Sequence, residues 1–377
     1  MVSGINRQGK MLTTSVKGII KGVMVVSLSS LMGCQSIGPN VLNRDRYHYN
    51  LAMNYSSNQE LLLNMVRLRY DESTVVLKVG TISSNPHIGT GANLQSTLSF
   101  PNPGKTTGTA TPGASVDYSD SPTMSYSPLD GPEFTQSFLR PLSLEDLGLL
   151  MQDAWSIPRI MRIGLQRVGN VYNASSSTRP TSSHVPEYQN FIDMTYVLRR
   201  MQLEDSITGF YAKSGDIEEL TLEIKPGYRL TSQEKAILDK AGVEIYHHKI
   251  IFTNTPAPHK VFIITRSLIG VLNYLSKGVI VPQADADRKI ITQTVYDDGT
   301  VFDWQKVVRG MMKIYHSEIK PNDAYISIYY RNRWYYIKDS DSDSKQTLIL
   351  LSNMAGLIEN TSSVDKTPLL LTRSIGR

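Results

Sequence analysis

The sequence predicts an α+β protein, built of mixed helices and short antiparallel hairpins, and three observations carry that expectation. Apolar residues recur three and four apart in several separate segments, as on the inner faces of amphipathic helices. Between those segments lie β-branched and aromatic runs bounded by Gly, Pro, Asn and Asp. From Gly80 to Asp130 the chain alternates apolar and polar residues with period two on both sides of a turn-rich centre, which reads as one long Gly/Ser/Thr-rich amphipathic hairpin.

The first segment is of another kind. Arg7, Lys10, Lys17 and Lys21, with no acid before Cys34, lead into the apolar run Val23–Leu28. A basic start, a short apolar core and a small residue at its end are the layout of a secretory signal. The run is too short to span a bilayer, which takes about 20 residues. Leu31-Met32-Gly33-Cys34 resembles the lipobox of bacterial prolipoproteins. The resemblance implies that signal peptidase II reads Leu31, Met32 and Gly33, that residues 1–33 are removed, and that Cys34 is lipidated, with Met1 or Met11 as the start. A cleaved signal with an incidental Cys34, or a retained anchor, are the alternatives. Cys34 is the only cysteine, so no disulfide forms, and lipidation accounts for an otherwise unpaired thiol. Gln35 stands where an Asp, in the enterobacterial sorting pattern, retains a lipoprotein in the inner membrane, so the outer membrane is expected, on its periplasmic face.

Residues 34–55 read as a polar tether. Ser57 with Glu60 forms a capping-box pattern, and Leu61, Leu62, Met65, Val66 and Leu68 continue it as a helical stripe. Val75–Val79 follows as a strand. In the hairpin, Ala92, Leu94, Leu98 and Phe100 share one parity against Asn93, Gln95, Thr97 and Ser99. Beyond a turn over Pro101–Pro112, Ala114, Val116 and Tyr118 alternate with Ser115, Asp117 and Ser119, and Met124 and Tyr126 keep the parity. Two readings stay open: a hairpin at the edge of a soluble body, or one copy's share of a barrel closed by oligomerisation, since lipid forbids open strand edges.

Ser143 opens a helix that runs to Ala154, and a second starts at Ser156, carries Pro158 in its first turn and extends to about Val168. After a polar loop over Asn173–Ser183, Glu187–Gln202 is helical with Phe191, Met194, Val197 and Leu198 inward. These segments make an N-terminal region of residues 56–210. The C-terminal region, 211–377, opens on a β-α-β-β-α order: Leu220–Ile224, Ser232–Ala241, Val243–Phe252, Val261–Thr265 and Ser267–Ser276. Similar units build the rings of some envelope secretion channels, a likeness of topology alone. A helix over Trp304–Tyr315, a hairpin with Arg331-Asn332-Arg333 at its tip, a helix over Thr347–Leu357 and a strand over Pro368–Thr372 complete the chain.

Charge and motifs narrow the function. Four of the 39 basic residues precede Cys34, leaving 35 against 34 acids, with no basic stripe; nucleic acid is not an expected partner. Asp339, Asp341 and Asp343 alternate as in a calcium loop, but Ser344 and Leu350 replace the required Gly and Glu, and the run fits an acidic helix start instead. Gly104-Lys105-Thr106 lacks the earlier glycine and following helix of a phosphate loop, and Gly89-Thr90-Gly91 has Leu94 where a dinucleotide fingerprint needs Gly or Ala. His247-His248, placed in a strand, would point to opposite faces. No catalytic residue, metal or cofactor is expected.

Leu62–Val79, Tyr118–Pro141 and Arg333–Lys345 together resemble a family of uncharacterised proteobacterial cell-envelope lipoproteins. The resemblance implies a lipid-anchored envelope protein and transfers no catalytic residue. The expected role is a structural or interaction component of an envelope assembly, such as one of secretion or transport, with membrane lipid bound through Cys34 and other envelope proteins or further copies of the chain as partners. The alternatives are a periplasmic enzyme on glycan or lipid, and a subunit of a pore-forming oligomer.

Overall fold

A polar stretch without a helix breaker is enough to begin the fold. From Asn40 to Arg69 there is neither Gly nor Pro, and the computed structural model carries one helix, α1, over Ile37–Arg69. The structure describes residues 37–83, 86–102, 105–120, 123–128, 134–153, 155–175, 184–215 and 217–362. The segment expected as a tether is therefore helical from Ile37, and Ser57 and Glu60 lie inside the helix rather than capping it. Pro39 is tolerated because the first turn needs no N–H at that position. The chain divides into two units at Leu61/Leu62.

In the second unit, Asn64 of α1 turns the chain by holding the backbone of Val75, its Nδ2 donating to the Val75 carbonyl (2.9 Å) and its Oδ1 accepting from the Val75 N–H (3.2 Å). The strand after it, β1, runs Leu77–Ser83, two residues later than expected, and pairs with β4, Thr123–Pro128. Between them β2 (Pro86–Asn102) pairs antiparallel with β3 (Lys105–Asp120). The predicted hairpin is present, but its strands continue through most of Pro101–Pro112, which was expected as turn. Thr, four times present in that stretch, is a good strand residue, and Pro112 lies in an edge strand, where the missing N–H leaves no interior ladder broken.

The main sheet has six strands in the order β6-β5-β10-β9-β8-β7: β5 is Leu165–Val168, β6 Val171–Tyr172, β7 Ile207–Ser214, β8 Ile217–Ile224, β9 Lys249–Thr253 and β10 Val261–Thr265. Only β9 and β10 run parallel within it. The strands come from both sides of residue 210, so the expected boundary at 210/211 does not separate two sheets. Helices α2 (Leu144–Gln152), α3 (Ile157–Gly164), α4 (Gln189–Leu203), α5 (Ser232–Ala241) and α6 (Leu268–Ser276) accompany this mostly antiparallel sheet, which makes the fold α+β. The predicted β-α-β-β-α order survives as β8, α5, β9, β10 and α6. Local chemistry sets the helix ends: Ser143 and Thr231 form capping boxes with Asp146 and Glu234, Ser267 caps α6, and Gly242 closes α5 in the left-handed conformation.

Two expectations are corrected here. The second helix stops at Gly164 instead of Val168, because Leu165, Arg167 and Val168 pair with Thr265, Ile264 and Ile263 of β10. The histidine pair is not in a strand: His247 and His248 both have positive φ (48° and 60°) at the turn between the bridged Tyr246 and Lys249.

After α6 come α7 (Gln283–Asp287) and a stretch expected as a helix over Trp304–Tyr315. There only a 3₁₀ turn, Trp304–Lys306, forms. Gly310 has φ +71°, and Val307, Val308, Met311 and Met312 are buried from a turn rather than a helix face. A three-stranded sheet follows, ordered β11-β13-β12, with β11 Tyr315–Ser317, β12 Ala324–Tyr330 and β13 Arg333–Lys338. Arg331 and Asn332 make its two-residue turn, both with positive φ, as expected for a tight hairpin. Helix α8 spans Ser342–Ser362, five residues ahead of the expected start. The predicted strand at Pro368–Thr372 lies outside the described residues.

Candidate functional site

The residues that the sequence singles out first, Leu31, Met32, Gly33, Cys34 and Gln35, lie outside the described residues. The three alternating aspartates are described, and they diverge. Asp339 pairs with Lys345 (2.8 Å), Asp341 caps α8 by accepting from the Ser344 N–H (3.1 Å), and Asp343 pairs with Arg159 (2.9 Å). The acidic run is a helix start, as expected. Gly89-Thr90-Gly91 lies inside β2 and Lys105 opens β3, so neither motif adjoins a helix. Among the described residues no three His, Cys, Asp or Glu side chains are grouped to hold a metal. No helix there is long and apolar enough to cross a membrane.

The hairpin is the first candidate element. Its register is constant from Ile82↔Met124 to Ser99↔Thr107, on both sides of residues 84–85 and 121–122. Directly paired residues share a face of a two-stranded ribbon. That places Ile88, Ala92, Leu94 and Leu98 on one face with Tyr118, Ala114, Pro112 and Gly108, and Thr90 there with Val116. Gly91, Asn93, Gln95 and Ser115 on the other face are exposed. The two arms' apolar parities thus coincide over the whole ribbon. With 17 residues, β2 reaches about 55 Å at strand rise. Among the described residues β2 and β3 pair with no other strand.

The second candidate is a basic cleft, and buried arginines build it. All eight residues of α3 are buried, Arg159 and Arg162 included. Arg159 reaches Asp343 and the Thr347 hydroxyl (2.5 Å) at the start of α8. Arg162 donates to the carbonyls of Val307 (3.1 Å) and Arg309 (2.8 Å), fixing the loop in which the 3₁₀ turn lies. Between that loop and the start of α4 opens a cleft of about 460 Å³ lined by Arg162, Tyr188, Gln189, Ile192, Tyr196, Lys306, Arg309 and Gly310. A second cleft, of about 470 Å³, shares Lys306, Arg309 and Gly310, and adds Lys313 and Lys338 with Asp303, Asp341 and Asp343. Burial pushes the Tyr188 phenol above its ordinary range, and nearby Tyr296 and Asp303 add to the shift while Arg309 opposes it. Sequence reading missed this site because its residues come from three distant segments. The available signal was two arginines within the apolar run Ile157–Gly164.

Arg266 and Tyr70 are buried for structural reasons. Arg266, fully buried, donates to the carbonyls of Arg162 (3.0 Å), Ile163 (3.3 Å), Leu165 (2.5 Å) and Asn173 (2.5 Å), and lies 4.4 Å from the Tyr274 ring centre. Burial lowers its pKa to about 10, so it stays charged at neutral pH. Tyr70 donates to Asp285 (2.6 Å) and meets the Tyr335 hydroxyl (2.7 Å), while Glu72 accepts from Tyr330 and Arg331. These bonds tie the chain just after α1 to the β12–β13 hairpin.

Compared with known protein-family models, curated proteins and solved structures, the chain matches none. Its function must be argued from the site alone.

Proposed function

We propose that the protein is a lipid-anchored lipoprotein of the bacterial outer membrane that serves as an assembly component of the envelope, with the hairpin over β1–β4 as its contact element. One observation carries this reading. The hairpin aligns an apolar face over both long arms and leaves the outer edges of β2 and β3 without a strand partner among the described residues. A two-stranded ribbon of that kind is marginal in water by itself, and open edges invite another chain. The lipobox-like Leu31–Cys34 supports anchoring at Cys34, and Gln35 supports the outer membrane.

A second reading is favoured by a specific feature of the same ribbon. From Ile88 to Val116 the only charged residue is Lys105, at the tip. Transmembrane strands need about 9–11 residues with alternating faces, and both arms exceed that. Copies of this chain paired edge to edge would then close a barrel.

The test is the native size of the full-length protein extracted from its own membranes in mild detergent, with mass spectrometry of what co-migrates. A large assembly that is lost on deleting residues 91–120, and a protein that leaves the membrane on Cys34→Ala, are the expected results. A monomer of unchanged state with and without 91–120 overturns the proposal. An assembly of this chain alone selects the barrel, and one containing other envelope proteins selects the interaction role.

A further inference from the structure

The geometry points to a binding site for a sugar phosphate in the cleft between α4 and the Trp304–Lys313 loop. Three features converge there. Its lining contains Arg162, Lys306 and Arg309 and no carboxylate. Lys306 and Arg309 are exposed, and their side chains make no hydrogen bond or ion pair among the described residues. Three cations that line one cleft, none of them paired with a carboxylate among the described residues, repel one another and favour an anion between them.

Arg162 is the second feature. It is 2 % exposed, has no carboxylate partner among the described residues, and keeps a buried Nε–H without an acceptor although two carbonyls hold its other end. That Nε–H is closed off from solvent, and the two neutral carbonyls leave the guanidinium charge uncompensated, so an anion in the cleft that Arg162 lines would offset it. The third feature is the helix that opens onto the cleft. α4 has 15 residues, no side-chain cap at Tyr188 and no acid in its first turn, and Tyr188, Gln189 and Ile192 of that first turn line the wall. Uncapped N–H groups at a helix start favour an oxyanion. The nearest acid named by its effect on Tyr188, Asp303, is engaged as the cap of the 3₁₀ turn, accepting from the Gln305 N–H (3.0 Å).

The size of the cleft and its aromatic walls set the rest of the ligand. About 460 Å³ is far more than a phosphate ion fills and falls in the range of small-molecule sites. Tyr196, 57 % exposed, and the half-buried Tyr188 offer flat amphipathic rings. A sugar ring presents C–H groups to such faces and hydroxyls to water, so the phosphate meets the cations and the sugar covers the tyrosines. The source of that group is either a free sugar phosphate or the head of a phosphorylated glycolipid. None of this depends on the anchoring at Cys34 or on the hairpin.

The test is titration calorimetry of the full-length protein in mild detergent with glucose 1-phosphate, inorganic phosphate and glucose as probes. Glucose 1-phosphate is expected to bind, more tightly than inorganic phosphate and less tightly as salt is raised, with glucose silent. Lys306→Gln with Arg309→Gln, two exposed positions whose neutralisation leaves the core untouched, should weaken it at least ~10-fold. Lys235→Gln, on exposed α5, should not. Flotation with phosphatidylcholine vesicles, with and without lipid A, separates the sources: vesicle binding that requires lipid A and fails in the double variant assigns the site to a lipid head. The proposal is overturned if no probe or lipid A vesicle binds, if the double variant binds as the parent does, or if glucose or inorganic phosphate binds as tightly as the sugar phosphate.

Discussion

Lys277 follows α6 with 2 % of its surface exposed, 5.5 Å from the Trp304 ring centre, and burial is the largest cause of a pKa lowered from 10.5 to about 7. Arg69 lowers it further and Asp71 opposes. The unfolded chain holds this proton more tightly, so between about pH 7 and 10.5 the unfolded state binds more protons and stability rises with pH. The full penalty is present below pH 7 and amounts to about 5 kcal/mol as an upper figure. Linkage places about 2 kcal/mol of its relief between pH 7 and 9. Lys277→Met keeps the stem against Trp304 and the backbone carbonyl that accepts from Gln305 (3.0 Å), while removing the buried ammonium. The variant should be the more stable protein at pH 7, by about 3 kcal/mol after allowing about 1 kcal/mol for the lost cation–π contact. Its advantage should shrink by about 2 kcal/mol at pH 9. Urea unfolding of both proteins at pH 6, 7, 8 and 9, followed by tryptophan fluorescence, measures the difference directly and cancels the other titrating groups. A difference that does not change with pH, or a variant less stable at pH 7, would refute the reasoning.

Two other perturbations test the frame that holds the basic cleft. Arg266→Lys keeps the charge but cannot serve four carbonyls from one planar group, and should lower stability by about 3 kcal/mol in urea melts. Gly169, at φ +50° between β5 and β6, leaves no room for a Cβ, which would clash with the Ala241 carbonyl oxygen; Gly169→Ala should cost about 2–3 kcal/mol, whereas Gly215→Ala, at φ +61° with open space around it, should cost only about 1 kcal/mol. Equal losses at the two glycines would show that the close approach to α5 contributes nothing.

Features encoded in adjacent residues were legible without a structure. The Ser143 start of α2, the helix over Ser232–Ala241, the Ser267 start of α6 and the Arg331-Asn332 turn each depend on residues within a few positions of the backbone they satisfy. The hairpin's parity belongs with them, since period two is a local property of a strand and the register sets Ile88, Ala92 and Leu94 opposite Tyr118, Ala114 and Pro112. The α+β class follows from these local signals together.

What tertiary structure decided is wherever two local options were close in energy. The sequence 165–168 continues an apolar helical pattern, and only pairing with β10 makes it a strand. Trp304–Tyr315 has helical spacing, but the carbonyls of Val307 and Arg309 are taken by Arg162, and Gly310 turns the chain away. Polar composition concealed the part of α1 before Ser57, because a helix can expose most of its surface when nothing interrupts it. The basic cleft has no local signature at all. Arg162, Tyr188 and Arg309 are separated widely in the chain and meet only because α3, α4 and the loop after Phe302 pack together, and no pattern along a sequence encodes a distance between side chains so far apart.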